Sequence, residues 1–133
     1  LKERIIAEMG VDHSGALEKN FERAKRFIRL TTDGKVDVLD KEKLKGEDRI
    51  LLYLVGKLYA QQGGLTETGD AGYDELRNEL VVPQGTLAGW LKNLRDRNKV
   101  KIEKRERLVY YSIPINLVER TLSAMETVLE KGG

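Results

Sequence analysis

The chain has 133 residues, 40% of them hydrophobic and 35% charged, which suits one soluble globular domain with a core and a peripheral element or two. It has no cysteine, so disulfides, thiolate metal sites and thiol catalysis are excluded and a reducing compartment is compatible. No apolar run approaches the roughly 18 residues of a membrane span, and the opening "LKERIIAEMG" is too charged for a signal peptide, so the expected location is cytoplasmic.

In chain order, "GALEKNFERAKRFIRL" predicts a helix with Leu17, Phe21, Ala24 and Ile28 on one stripe. "LTTDGKVDVL" predicts a hairpin, with Asp33-Gly34 suited to a type I′ turn. "GEDRILLYLVGKLYAQQGG" predicts a helix from about Glu47 to Gln62, acidic in its first turn and followed by glycines. Ile50, Leu51, Leu54, Val55 and Leu58 wrap much of its circumference, so it is expected to be central. "GGLTETGDAG" is a loop, with neither the Lys-Ser/Thr pair nor the preceding strand of a phosphate-binding loop. "YDELRNEL" predicts a short helix with Leu76 and Leu80 inward.

A Val-Val-Pro-Gln corner follows. The next helix is expected from about Pro83, at its first position, to Arg97, with Asn98 left-handed at its end. "KVKIEKRERLVYYSI" holds two alternating runs, Val100 to Glu103 and Leu108 to Ile113, joined by a charged tip, Lys104 to Arg107. After Pro114, "INLVERTLSAMETVLEKGG" predicts an amphipathic helix with Val118, Leu122, Met125 and Leu129 on its stripe.

The net charge is only +2, but its distribution is uneven. Residues 92–107 hold eight basic groups against Asp96, Glu103 and Glu106, so they sum to +5 while the other 117 residues sum to −3. Local polarity of that kind is what phosphate binding needs; the alternative is a solvated charged face.

"LRNELVVPQGTLAGWLKNLRDRNKVKIEKRERLVYYSI" carries a frame of Leu80, Thr86, Leu87, Leu91, Leu94, Asn98 and Tyr110-Tyr111-Ser112-Ile113. With the element order before it, the stretch from Glu47 to Ile113 resembles the DNA-binding domains of bacterial and archaeal winged-helix repressors. The whole chain is also similar to small archaeal proteins of that class, with a "DGKV" hairpin before the long helix. Asn98-Lys99 stands where Gly-Leu is usual, and Gly85, Ala88 and Gly89 stand where polar or basic readers are common. The resemblance implies a mainly α fold with small β, a winged helix-turn-helix over 46–114. Residues 1–45 form an N-terminal helix and hairpin extension, and residues 115–133 a C-terminal helix that packs on the domain or dimerises.

At roughly 100° per residue, Leu87, Trp90, Leu91 and Leu94 face the core. The opposite side shows Gly85, Ala88, Gly89, Lys92 and Asp96, with Gln84 at the start and Asn93 on a flank. Base readout needs side chains in bidentate reach, and only Gln84, Lys92 and Asn93 qualify; Thr86 can meet a phosphate or the helix start. Gly89 in mid-helix costs about 1 kcal/mol relative to Ala, a cost more readily kept where a backbone must approach something closely. Lys101, Lys104, Arg105 and Arg107 are expected to hold phosphates from the wing.

Other signals are weak. Asp12, His13 and Ser14 are adjacent, and adjacency does not make a catalytic triad. Trp90 belongs with the core leucines rather than a stacking platform, and of Tyr110 and Tyr111 one is expected to face the core. No enzymatic activity, catalytic residue, metal or cofactor is expected. The expectation is therefore a double-stranded DNA-binding protein, a transcriptional regulator with few base contacts and a basic wing. The resemblance tilts it towards a homodimer using Val118, Leu122, Met125 and Leu129. The alternative is a winged-helix protein-interaction module within a larger complex.

Overall fold

The computed structural model describes residues 1–9 and 15–132; His13 and its neighbours Asp12 and Ser14 lie outside them. The chain is mainly helical with two small sheets. α1 (Lys2–Met9), α2 (Gly15–Lys19) and α3 (Phe21–Ala24) precede the antiparallel pair β1 (Ile28–Leu30) and β2 (Val36–Val38). A 3-10 turn at Lys41–Lys43 leads into α4 (Gly46–Gln62). Then come β3 (Ala71–Gly72), α5 (Tyr73–Leu80), α6 (Gln84–Asp96), the hairpin β4 (Lys101–Arg105) and β5 (Leu108–Ser112), and finally α7 (Val118–Gly132). The second sheet runs in the order β3-β5-β4.

The helix expected across 15–30 is a correction. Asn20 is buried at the junction of α2 and α3, its amide donating to the Ala16 carbonyl and its side-chain oxygen accepting from Arg23. Past Ala24 the chain tightens into three-residue turns, and Ile28 enters a strand opposite Val38. Pairing with β2 buries Ile28, Val36 and Val38 against α4, which outweighs a local helical stripe. Phe21, expected inward, is 49% exposed. The turn at Asp33-Gly34 also differs. Only Gly34 has positive φ, at 89°, and its amide donates to Thr31, so a three-residue loop with one left-handed residue replaces type I′. A Cβ on Gly34 would meet the Thr66 methyl at 2.6 Å, because the hairpin tip rests on the loop after α4.

α4 is the centre. Ile50, Leu51, Leu52, Leu54 and Val55 are buried on several of its sides, and Gly56 admits Val36 where a Cβ would lie 2.4 Å from its methyl. α5 is tied to α4 by a polar cluster. Lys57 pairs with Glu75 at 3.0 Å, and the Tyr53 hydroxyl donates to the same carboxylate at 2.6 Å. Burial, then the hydrogen bond to Glu75, pushes the Tyr53 phenol pKa up. One continuous core joins the N-terminal hairpin, α4 to α6, the second sheet and α7.

The second correction concerns α7. Val118, Leu122 and Met125 are buried, and Leu129 packs half-buried against the same core. The stripe assigned to dimerisation is covered by the chain's own α4 and N-terminal helices. Arg23 clamps it there, donating from Nη2 to Glu126 Oε1 at 2.5 Å and to Ser123 at 2.7 Å. No helix among the described residues is long and apolar enough to cross a membrane.

Candidate nucleic-acid interface

α5 ends at Val81, which stands in the left-handed region with φ 51° and is 84% exposed. A β-branched residue there is strained, because its branched Cβ crowds the backbone. Pro83 is the N-cap of α6 rather than its first turn, and Gln84 begins the helix. The Tyr73 hydroxyl donates to the Gln84 carbonyl at 2.5 Å, fixing the corner. Asn98, φ 56°, closes the far end: its amide donates to Arg95 and that of Lys99 to Leu94, a Schellman-type stop.

α6 is seated as the helical period requires. Leu87, Leu91 and Leu94 are buried, and Trp90 packs on the first residue of α4, where a Cβ on Gly46 would fall 2.2 Å from its ring. Gly85, Ala88, Gly89 and Lys92 are exposed, and a Cβ on either glycine would meet nothing within 4 Å. This outward face is bare and open. Gln84 and Thr86 stand exposed at its start.

Asn93, on the flank of that face, is exposed but engaged within the chain. Its amide donates to Glu47 Oε2 at 2.8 Å, and Arg97 donates to the other oxygen of the same carboxylate at 3.2 Å. Both side chains fasten α6 to the first turn of α4.

The first strand of the β4–β5 hairpin extends further than expected. β4 runs through Lys104 and Arg105, and a two-residue turn, Glu106-Arg107, joins it to Leu108. Both turn residues have positive φ, 49° and 73°, a type I′ geometry usually given to Asn-Gly. β3, unanticipated from the sequence, adds Ala71 opposite Tyr111 and Gly72 opposite Tyr110.

Strand alternation divides the hairpin's cations between two faces. Lys104 shares a face with Ile102, Val109 and Tyr111; Lys101 and Arg105 share the other with Glu103 and Tyr110. Burial pushes the Tyr111 phenol up, with nearby Tyr73 adding and the Arg95 guanidinium opposing. The Tyr111 face therefore adjoins Arg95 of α6, and Lys104 extends from that side. Arg95 is exposed and pairs with the adjacent Asp96 at 3.7 Å. It lies three residues after Lys92, on the same flank.

Arg105 is engaged within the chain. Its guanidinium lies over the Tyr110 ring, 3.9 Å from the centroid, and donates to Asp70 Oδ2 at 2.8 Å. It fastens the β4–β5 hairpin to the strand before α5. By contrast, no ion pair or hydrogen bond engages the side chains of Lys92, Lys101, Lys104 or Arg107 among the described residues, and each is exposed.

No family model matches the chain, and no curated protein matches it. Among solved structures it is similar to the Bordetella bronchiseptica protein BpsR, from work on the regulation of that protein's DNA binding by 6-hydroxynicotinic acid. The identity is 15%, the TM-score 0.46, and the match covers 88% of this chain and 73% of that one. A likeness of that strength says nothing about what this chain binds.

Proposed function

We propose that residues 46–113 form a winged helix-turn-helix that binds double-stranded DNA in a transcriptional regulator, with α6 in or beside the major groove and the β4–β5 wing along the phosphates. The observation that carries this reading is a bare helix face, Gly85, Ala88 and Gly89, flanked by exposed cations. Lys92 lies on the helix, and Lys101, Lys104 and Arg107 on the wing; Arg95, beside Lys92, pairs with Asp96 at 3.7 Å. A helix without bulky outward side chains lets a sugar-phosphate rail come close to its backbone. Unengaged amines and guanidinium groups then replace condensed counterions. Gln84, Thr86 and Lys92 are the base-edge or near-groove contacts, too few for strong direct readout, so preference rests largely on DNA shape.

The test is a fluorescence anisotropy titration of random duplex DNA over a range of salt. Four phosphate contacts give a log–log salt slope of about −3.6. Absence of binding at low salt overturns the reading. It would favour a second one, a protein-interaction winged helix within a larger complex, for which Val81, Ile102 and Leu108 offer exposed apolar contacts on the corner and wing.

A further inference from the structure

The end of α6 meets α4 and α7 at a recess of about 190 Å³, lined by Leu51 of α4, Asn98 and Lys99 just past α6, and Thr121 and Met125 of α7. Leu51 and Met125 are buried and give it an apolar floor, while Arg120 and Ala124 are exposed at its mouth. Thr121 is only 8% exposed, yet its hydroxyl has no hydrogen-bond partner among the described residues. Every side-chain nitrogen or oxygen cut off from solvent among those residues has a partner, so the Thr121 hydroxyl opens into the recess. A nearly buried donor without a partner is where an acceptor on a ligand gains most.

Charge along the recess is not balanced. Asp48 lines it, and burial pushes the Asp48 carboxyl above its ordinary value against the opposing charges of Lys45 and Lys99. Lys99 thus offsets Asp48, and Glu47 holds the Arg97 guanidinium at 3.2 Å. Arg120 has no partner among the described residues, which leaves one positive charge over. A matching occupant carries one negative charge, accepts from Thr121 and lays an apolar body on Leu51 and Met125. The recess is smaller than the roughly 300 Å³ at which pockets for drug-sized ligands begin, so that body is short.

We propose that this recess binds a short-chain aliphatic monocarboxylate. The carboxylate accepts a hydrogen bond from Thr121 Oγ1 and lies between Lys99 and Arg120, and the hydrocarbon chain covers Leu51 and Met125. The site shares no residue with the surface assigned to DNA above, and the proposal does not depend on the DNA reading.

The test is a titration of the full chain with sodium hexanoate, without DNA, followed by amide proton–nitrogen NMR. Saturable shifts should centre on Lys99, Thr121 and Ala124, with a dissociation constant on the order of a millimolar for so small a ligand. Acetate lacks the apolar body, 1-hexanol lacks the charge and hexylamine reverses it, so each should bind about tenfold more weakly or worse. Thr121→Val keeps the side chain's shape and removes its donor. It should weaken hexanoate about tenfold and leave 1-hexanol unchanged, whereas mere loosening of the packing would weaken both. Arg120→Gln alters an exposed side chain, so its fold persists even if Thr121→Val unfolds, and it should weaken hexanoate several-fold. No saturable shift with hexanoate overturns the proposal. So does 1-hexanol or hexylamine binding as tightly as hexanoate, or a hexanoate affinity indifferent to either folded variant.

Discussion

Arg105 and Asp70, at the end of β4 and on the loop before β3, are joined by a 2.8 Å hydrogen bond between guanidinium and carboxylate, with the Asp70 side chain largely covered. The contact removes one positive charge from the wing's outer field and holds the hairpin against the strand preceding α5. Releasing it exposes the charge. Asp70→Asn is expected to raise affinity for random duplex DNA several-fold and to steepen the salt slope by about 0.9, one further phosphate contact. Equal slopes for the two proteins in an anisotropy titration would mean that Arg105 stays on Tyr110 or faces away from DNA.

Lys101, Lys104 and Arg107 are the wing's unengaged cations. Replacing all three by Ala should weaken binding uniformly across sequences and flatten the slope by about 2.7. An unchanged slope removes the wing from the mechanism and leaves α6 alone at the interface.

Gly89 separates stability from binding. Nothing lies within 4 Å of its added Cβ, and the residue is mid-helix. Gly89→Ala should therefore stabilise the fold by about 0.5–1 kcal/mol, read from urea unfolding. If the helix backbone meets the phosphate rail closely, the same variant should bind duplex more weakly. A variant both more stable and equally tight in binding would show that the glycine is merely tolerated.

Gly46 behaves oppositely. A Cβ there overlaps the Trp90 ring, which must move and lift α6 from α4. Gly46→Ala should cost about 1–3 kcal/mol and shift the Trp90 emission, which is assignable because the chain has one tryptophan. An unshifted spectrum would show that the ring moves aside without exposure.

Glu126 gives the pH dependence. The hydrogen bond from Arg23, then the charges of Arg23 and Arg26, hold its carboxyl below the usual range against the opposing effect of burial. A depressed folded-state pKa means the native state binds fewer protons than the unfolded chain. The stabilisation is then present above the unfolded value, about 4.3, and lost as pH falls through the folded one. Glu126→Gln should lower stability at neutral pH and shallow the acid limb of a pH–melting profile. Parallel acid limbs for the two proteins would show that the Arg23 clamp contributes nothing.

Much of this molecule was legible locally. The 3.6-residue period placed Leu87, Leu91 and Leu94 inward and Gly85, Ala88 and Gly89 outward, and alternation with a charged tip marked the β4–β5 hairpin. Asn98 marked the end of α6, since its left-handed backbone is a local preference. These features depend on residues within one or two turns of each other, so sequence order carries them.

What only the tertiary structure decided is which distant groups meet. Glu47 reaches Arg97 from 50 positions away and Asp70 reaches Arg105 from 35, so charge counted along residues 92–107 overstates the charge left open to a ligand. The two-residue strand β3 is too short to show a period. The α7 stripe has the same spacing whether it covers its own core or a second copy, and only packing against α4 and Arg23 distinguishes them. Ile28 joins a strand because Val38 lies opposite it, a pairing set by chain closure rather than by its neighbours in sequence.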